Sequence, residues 1–367
     1  MLDRTRLQEL SARARHDVDV GLEYGGVEGC SLAIGYRGEI VFAEAYGAAK
    51  IDTPILIMSP TKTIMEAALW VLYGRGLIAA ADRVTDYVPE FGTNGKETIT
   101  LEMLETHTSA IANQMIDHPD HADRQKRLAA FRGWSAEGVR GTYYEYHIGS
   151  GNWVLAEIIE RVSGMDYRAF LKKEVLEPLG LADIRKVSLG EPEELQKLTL
   201  KHINCSRGWT PDRAKLPPVP HSYDREDALA VGVPGSGAVG TPTGVALLYQ
   251  AYLHNPGELW KPGVLEDARS RVRVRVPDPM GRPIVRSLSF HLGDALTDRY
   301  GERSFFGEAT SARTFGHQGQ GGQIAWADPV SGLSFCYLTN TVVFPPGGCF
   351  HPRARELSTL AAQVLGS

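Results

Sequence analysis

Cysteine is scarce in this chain, with four among 367 residues at positions 30, 205, 336 and 349. They are widely scattered and form no C-x-x-C pair, which argues against a zinc site and against a disulfide framework, so a reducing cytoplasm is the simplest expected home. No apolar run approaches the roughly 20 residues of a membrane-spanning helix, and membrane insertion is not expected. The first twenty residues, MLDRTRLQELSARARHDVDV, mix charges of both signs with leucines at helical spacing and contain no apolar stretch of the secretory type. An excess of one charge is also missing: 39 basic residues stand against 44 acidic ones, for a formal charge of -5. Without a basic block there is neither a nucleic-acid footprint nor a polybasic anchor, and small uncharged or mixed-charge molecules are the expected partners.

What is present is enough apolar material for a large core, 43% of residues, alongside 23% charged. GCSLAIGYRGEIVFAEAYG, from Gly29 to Gly47, holds two β-rich runs separated by Tyr36-Arg37-Gly38, the pattern of a hairpin. GGQIAWADPVSGLSFCYLTNT, from Gly321 to Thr341, repeats that design around Asp328-Pro329-Val330-Ser331-Gly332, and ARELSTLAAQVLG then reads as a closing helix. Leu101 to Glu105, Asn152 to Val162, Tyr167 to Val175 and Thr243 to Tyr252 carry helical patterns between these ends. Strands from both termini must meet in one antiparallel sheet flanked by helices. The expected fold is therefore α/β (α+β) in a single domain, with an α/β part from 1–75 and 240–367 and a mainly helical insertion from 76–239.

Several conspicuous stretches have plain explanations. GSGAVG at Gly235 to Gly240 fits G-x-G-x-x-G but follows Val233-Pro234, and no acidic residue about 20 positions on ends a second parallel strand, so it reads as a tight loop before a helix. DHPDHAD at Asp117 to Asp123 groups histidines and aspartates, yet Pro119 breaks any shared helical face, and a solvated polar loop is expected instead of a metal site. RVRVRVP at Arg271 to Pro277 alternates as an edge strand protected by charge. GCSLA approaches a nucleophile elbow, but it sits inside the first strand and reads as core packing.

IMSPTKTIMEAALWVLYGRG, from Ile57 to Gly76, is different. Ile64, Ala67, Ala68, Val71 and Leu72 share one helical face, Ser59 stands where an N-cap belongs and Pro60 at the first helical position. Lys62 then brings a cation to the positive end of the macrodipole, a poor position for stability. Residues three apart share a face, so the Ser59 hydroxyl and the Lys62 amine can approach. A serine becomes a nucleophile when a neighbouring base takes its proton. At its usual pKa of about 10.4 only about one lysine in a few thousand is neutral at pH 7, but the helix N-terminus and burial both disfavour the charged form. The alternative is a capped surface helix on which Lys62 pairs with Glu66.

The segment PILIMSPTKTIMEAALWVLYGRGLIAAADRVTDYVPEF, followed by ITLEMLETHTSAI, resembles the serine β-lactamase and penicillin-binding-protein superfamily. Within it the likeness is to class C β-lactamases and family VIII carboxylesterases. RGTYYEYHIGSGNWVLAEIIERVSGMDYRAFLKKEVLEPLGLADI is similar to the family's second-motif region, VGVPGSGAVGTPTGVALLYQAYL to its loop-then-helix segment, and FGHQGQGGQIAWADPVSGLSFCYLTN to its third motif. The resemblance runs in order from about Gly29 to Asn340 and implies a β-lactamase/transpeptidase-like fold.

It also implies roles for individual residues. Ser59 would be acylated, Lys62 would move its proton, and Tyr146 would be the phenol beside Lys62, with Tyr143 and Tyr144 as nearby alternatives. The backbone N–H groups of Ser59 and Gln320 would form the oxyanion hole. His317, Gln318 and Gly319 would line the substrate, and no metal or organic cofactor is required. Two departures bear on the substrate: Tyr146-His147-Ile148 lacks the asparagine of Y-x-N, and His317 stands where β-lactamases carry lysine. A carboxylesterase on small or medium neutral esters is therefore expected ahead of a D-amino-acid peptidase or amidase, a β-lactamase or an acyltransferase. A non-catalytic scaffold is the last alternative. Histidine has a usual pKa of about 6.5, so His317 is expected to gain a proton near pH 6. Trp134, Trp209 and Tyr223 are candidate walls for an apolar acyl group.

Overall fold

In the computed structural model, the described residues are 2–22, 25–183, 185–190, 197–201, 203–204, 225–279, 281–293, 305–342 and 352–366. Cys205, Cys349, Trp209 and Tyr223 lie outside them. The strands are β1 (Gly29–Tyr36), β2 (Glu39–Gly47), β3 (Ile55–Leu56), β4 (Val187–Ser188), β5 (Ile203–Asn204), β6 (Val239–Gly240) and β7 (Val274–Pro277), then β8 (Pro283–Arg286), β9 (His291–Leu292), β10 (Phe315–Gly319), β11 (Gln323–Ala327), β12 (Leu333–Thr339) and β13 (Thr341–Val342).

Eight of these strands form one sheet in the order β2-β1-β12-β11-β10-β9-β8-β7, antiparallel at every step. The first two strands thus pair with strands from the far end of the chain, Cys30 opposite Thr339 and Tyr36 opposite Leu333. RVRVRVP supplies the edge strand β7, as its alternating charge predicts. Arg37 and Gly38 both take positive φ, 54° and 82°, which closes the β1–β2 hairpin with the twist its strands need.

The strands β1, β11 and β12 are buried almost throughout because both faces of the sheet are covered. One face carries Leu32, Ile34, Trp326, Phe335 and Tyr337 against Leu10 and Ala14 of the first helix, Arg4–Asp19, and Leu357 and Ala361 of the last, Pro352–Ala362. The other face presents smaller side chains, Ala33, Ala325 and Cys336, to the core that holds the Pro242–His254 and Thr61–Gly74 helices. Gln250 from the former joins two turns of the sheet, accepting from the Gly38 N–H (2.8 Å) and donating to the Gly332 carbonyl (3.1 Å).

Between β3 and β6 the chain runs through the helices Thr61–Gly74, Leu101–Glu105, Arg124–Gly133, Ser150–Ser163 and Tyr167–Leu171. A small sheet, β3-β6-β4, then brings Val239–Gly240 back beside Ile55–Leu56. The Thr61–Gly74 helix is buried on nearly every side, with Tyr73 its exception, which is why apolar and small residues occupy almost its whole circumference. Trp70 sits at its centre, edge-on to Tyr252 (5.1 Å between ring centroids) and Trp260 (5.5 Å), while its indole N–H donates to the Ser289 hydroxyl (3.0 Å). Among the described residues no helix is long and apolar enough to cross a membrane.

Trp70→Ala should cost about 3–5 kcal/mol, the usual range for emptying a large aromatic site, whereas Trp70→Phe keeps much of the ring contact and should cost less. Urea unfolding followed by circular dichroism measures both; equal midpoints for wild type and Trp70→Ala would mean that this cluster does not hold the helix.

Candidate active site

The chain enters the Thr61–Gly74 helix through a tight turn. Ile57 N–H donates to the Ala238 carbonyl (2.8 Å), and Met58 takes a left-handed backbone with φ 61°. A methionine in that region is strained by about 1–2 kcal/mol, a cost met mostly at functional turns. Thr61 N–H then donates to Met58 O and Lys62 N–H to Ser59 O, both at 2.9 Å. The helix is capped by Pro60 and not by Ser59, which corrects the expected N-cap: Pro60 already has helical angles, so Ser59 falls one residue outside. Its hydroxyl makes no capping bond and is partly exposed.

Lys62 is fully buried. Its amine donates to the carbonyl of Ile148 and to that of Gly235, both at 2.9 Å, and lies 4.9 Å from the centre of the Tyr146 ring. Burial pushes its pKa down to about 7, with Arg286 acting in the same direction and Glu66 against it. A neutral primary amine has two N–H bonds, so two carbonyls consume both donors and fix the lone pair in the remaining direction. The surface pairing with Glu66 is not formed. Glu66 is itself buried, and burial reinforced by Glu105 holds its carboxyl well above the usual range.

Of the three neighbouring tyrosines, Tyr146 is the one whose ring lies beside the Lys62 amine. Tyr143 is about half exposed, and Tyr144 is buried edge-on to His107. The Tyr146 ring also stands 4.6 Å from His107 and 6.0 Å from His317. β10 carries His317, Gln318 and Gly319 to the same place. A Cβ on Gly319 would fall 2.9 Å from Pro60 Cδ and 3.0 Å from the Ile57 carbonyl, so only glycine lets this strand press against the start of the helix. Gln320 opens the following turn, in which Gly321 and Gly322 have φ of 90° and 99°.

His317 does not behave as its type alone suggests. It is buried, its Nδ1 is 2.6 Å from the Gln318 carbonyl, and burial with the charges of Arg286 and Lys62 holds its pKa well below the usual 6.5. It stays neutral at pH 6, contrary to the expected titration there. The Gln318 amide donates to the Phe305 carbonyl and is thereby engaged within the protein. Trp134 is no pocket wall, since it packs 5.1 Å from Phe131 in the core with its N–H on the Met115 carbonyl (3.2 Å). The polar stretch at His118–Ala122 forms a 3-10 turn whose His121 is buried against Trp153, so it is less solvated than expected. Among the described residues no group of three or more His, Cys, Asp or Glu is placed to hold a metal ion.

Three contributors carried no signal in the sequence. Gly235 offers a backbone carbonyl, and a Cβ there would come within 3.3 Å of the Lys62 amine and 3.1 Å of Asn152 Oδ1. Asn152 is buried at that point, one turn beyond Ile148. Arg286, on β8, is fully buried. A carbonyl has no residue type, and a lone arginine in a strand reads as a solvent-facing position.

His107, His147, His291 and His317 are all buried with depressed pKa values, about 3 for His147. Each is protonated in the unfolded chain below about pH 6.5 but not in the fold, so stability is lost as pH falls through that window. Glu66 and Glu105, whose carboxyls are raised, work in the opposite sense between their usual range and their folded values, about 8 for Glu105. The four histidines outnumber them, and stability should fall from pH 6 to pH 5. In His317→Gln this slope should flatten by about 1 kcal/mol per pH unit, one histidine's share. Urea titrations at both pH values give the slope; an unchanged one would mean that His317 accepts a proton in the folded protein.

Known proteins share this arrangement of chain. A family model described as Beta-lactamase matches residues 14–359. The protein called Esterase/beta-lactamase LipL, from Mycobacterium tuberculosis, is 27% identical over 325 residues, spanning 80% of this chain and 71% of its own. Esterase EstB of Burkholderia gladioli is 25% identical over 370 residues, spanning 90% and 91%. The crystal structure of a family VIII carboxylesterase matches with a TM-score of 0.79 at 24% identity, covering 97% of this chain and 98% of that one, a likeness of fold. With the sheet closed by both termini and a family match that runs through nearly its whole length, this chain has the β-lactamase/transpeptidase-like fold and belongs to the β-lactamase family.

Proposed function

We propose that the protein is a serine hydrolase that forms an acyl-enzyme on Ser59 and prefers small or medium neutral carboxylic esters. The observation that carries this reading is the Lys62 amine, buried and held by two carbonyls, three residues after a hydroxyl that caps nothing. As Ser59 Oγ attacks the ester carbon, its proton passes to the Lys62 lone pair. The carbonyl oxygen becomes an oxyanion, and the backbone N–H groups of Ser59 and Gln320 receive it, each worth about 3–4 kcal/mol in comparable hydrolases. Collapse breaks the bond to the alcohol oxygen, which takes a proton from the Lys62–Tyr146 pair. Water then attacks the acyl carbon by the reverse sequence, losing its proton to the pair while Ser59 regains one. The Tyr146 ring lies 4.9 Å from the Lys62 amine, and the proton is assigned to the pair and not to either residue alone.

Neutral esters are favoured because the site offers no fixed cation on β10 to a substrate carboxylate. His317 is neutral, and a missing charge-assisted bond costs about 1.5–3 kcal/mol. Ile148 adds an apolar side chain, about half exposed, where an amide would otherwise hold the substrate. Two relatives whose names include esterase support the same substrate class. The free, buried Cys30 and Cys336 support a reducing compartment such as the cytoplasm.

Ser59→Ala should abolish both turnover of p-nitrophenyl butyrate and labelling by a fluorophosphonate probe, while stability stays within about 0.5 kcal/mol because no cap is lost. Labelling that persists in the variant, read by mass spectrometry, would move the nucleophile elsewhere. Lys62→Ala, Tyr146→Phe and the double variant should reduce kcat by similar factors, since members of one unit are not additive; multiplicative losses would separate them.

The ester should exceed a chromogenic cephalosporin in kcat/KM by roughly tenfold to a hundredfold at pH 7. Because His317 remains uncharged, that ratio should be the same at pH 6. A cephalosporin turned over as efficiently as the ester would restore β-lactamase as the leading function.

A further inference from the structure

The Leu101–Glu105 helix ends at a position where glycine is the usual residue. The His107 N–H donates to the Leu104 carbonyl (3.3 Å) and the Thr108 N–H to the Met103 carbonyl (2.9 Å), the paired bonds of a Schellman cap. His107 is the left-handed residue of that cap, with φ 59°. Glycine enters this region freely because it has no Cβ to clash, whereas a histidine enters it at a cost. A side chain held in a glycine position is expected to have a use.

The use lies in the loop before Ser150–Ser163. Residues 143–147 carry no regular secondary structure, so neither a helix nor a strand ladder fixes the backbone of Tyr146. Residues 107–109 fix it instead. The His107 carbonyl accepts from the Glu145 N–H (3.0 Å), and its Nδ1 accepts from the His147 N–H (3.1 Å). These are the amides on either side of Tyr146. The imidazole that makes the second bond lies 4.6 Å from the Tyr146 ring, whose centre is 4.9 Å from the Lys62 amine. The Thr108 carbonyl accepts from the Gly141 N–H (2.8 Å) and the Ser109 hydroxyl stands 3.2 Å from His147 Nε2, which extends the attachment along the loop.

We propose that His107 is a positioning residue, which holds the Tyr146 phenol against the Lys62 amine by accepting from the backbone amides on both sides of it. The proposal rests on the reading given above, in which Tyr146 shares a proton with Lys62. Nδ1 can accept from an amide only in a neutral ring whose proton is on Nε2. Protonation would set one donor against another. Enclosure keeps the ring neutral: His107 is 3% exposed, and burial, followed by the charge of Arg286, holds its pKa well below the usual value.

Two replacements separate the backbone from the acceptor. Asparagine carries an oxygen at the place of Nδ1 and tolerates left-handed angles, whereas glycine tolerates the angles and offers no acceptor. In His107→Gly the melting curve should stay near that of the wild type, while kcat for p-nitrophenyl butyrate falls roughly tenfold to a hundredfold at nearly unchanged KM. His107→Asn should recover most of that loss. Because His107 acts through Tyr146, adding His107→Gly to Tyr146→Phe should lower kcat little further.

The Tyr146 13Cζ resonance, assigned by its absence in Tyr146→Phe, should move in His107→Gly and return toward its original position in His107→Asn. In the wild type the His107 15N shifts should place the ring proton on Nε2 at pH 7. A proton on Nδ1 would overturn the proposal without recourse to any variant. A folded His107→Gly with full kcat would also overturn it, as would an asparagine variant as impaired as the glycine one, or losses that multiply with Tyr146→Phe. If Tyr146→Phe retained turnover while the resonance still moved in His107→Gly, the catalytic role of Tyr146 would fall and its positioning by His107 would stand.

Discussion

The contact on which the rest of the site depends is that of the Lys62 amine with the carbonyls of Ile148 and Gly235, 86 and 173 residues further along the chain. It ties the start of one helix to the loop before Ser150–Ser163 and to the turn before β6. A buried charged amine costs several kcal/mol unless every proton is bonded. Two acceptors satisfy a neutral amine and leave a protonated one an acceptor short. The arrangement therefore favours a particular protonation state as well as a position, which is the requirement of the proposed proton transfer.

Holding that contact requires the helix to be buried almost all round, and much of the architecture follows from this. The Trp70, Tyr252, Trp260 and Phe290 rings pack its far end. Gly319 lets β10 close over Pro60 at its near end. Small side chains on the inner face of the sheet, Ala33, Ala325 and Cys336, let the neighbouring Pro242–His254 helix approach. Because that face is occupied, the other needs its own cover, and the first and last helices of the chain supply it. The pairing of β1 with β12 places those two helices side by side.

The sheet and the helices were legible because they depend on periodicity and turn chemistry. The Arg37-Gly38 turn, the terminal strands and the helix around Leu101–Glu105 all carry local patterns strong enough to survive packing. The spacing of Ser59 and Lys62 was legible for the same reason. What the sequence could not give was environment. Ser59 reads as a cap until the left-handed Met58 moves the helix start by one residue. His317 reads as a titrating group until burial and the neighbouring Arg286 and Lys62 are placed around it. Gly235 reads as one glycine of a tight loop, since a carbonyl's role is written in three dimensions only.

Charge accounting links these corrections. A count of residue types around Tyr146 suggests a highly charged pocket, with histidines from several segments and two glutamates close by. Burial reverses that picture: it removes protons from the histidines and Lys62 and leaves them on the carboxyls, each group moving toward its neutral form. Arginine is the one side chain in this set that cannot follow, because its intrinsic pKa lies too far from neutrality. A pocket of many ionisable residues thus becomes nearly uncharged apart from the buried Arg286 guanidinium. Such a pocket suits a substrate that is itself neutral, because desolvating an ester is cheap where desolvating a carboxylate without a paired cation is not. On the proposed reading, the burial that would make Lys62 a base would also narrow the class of acyl compound that the site receives.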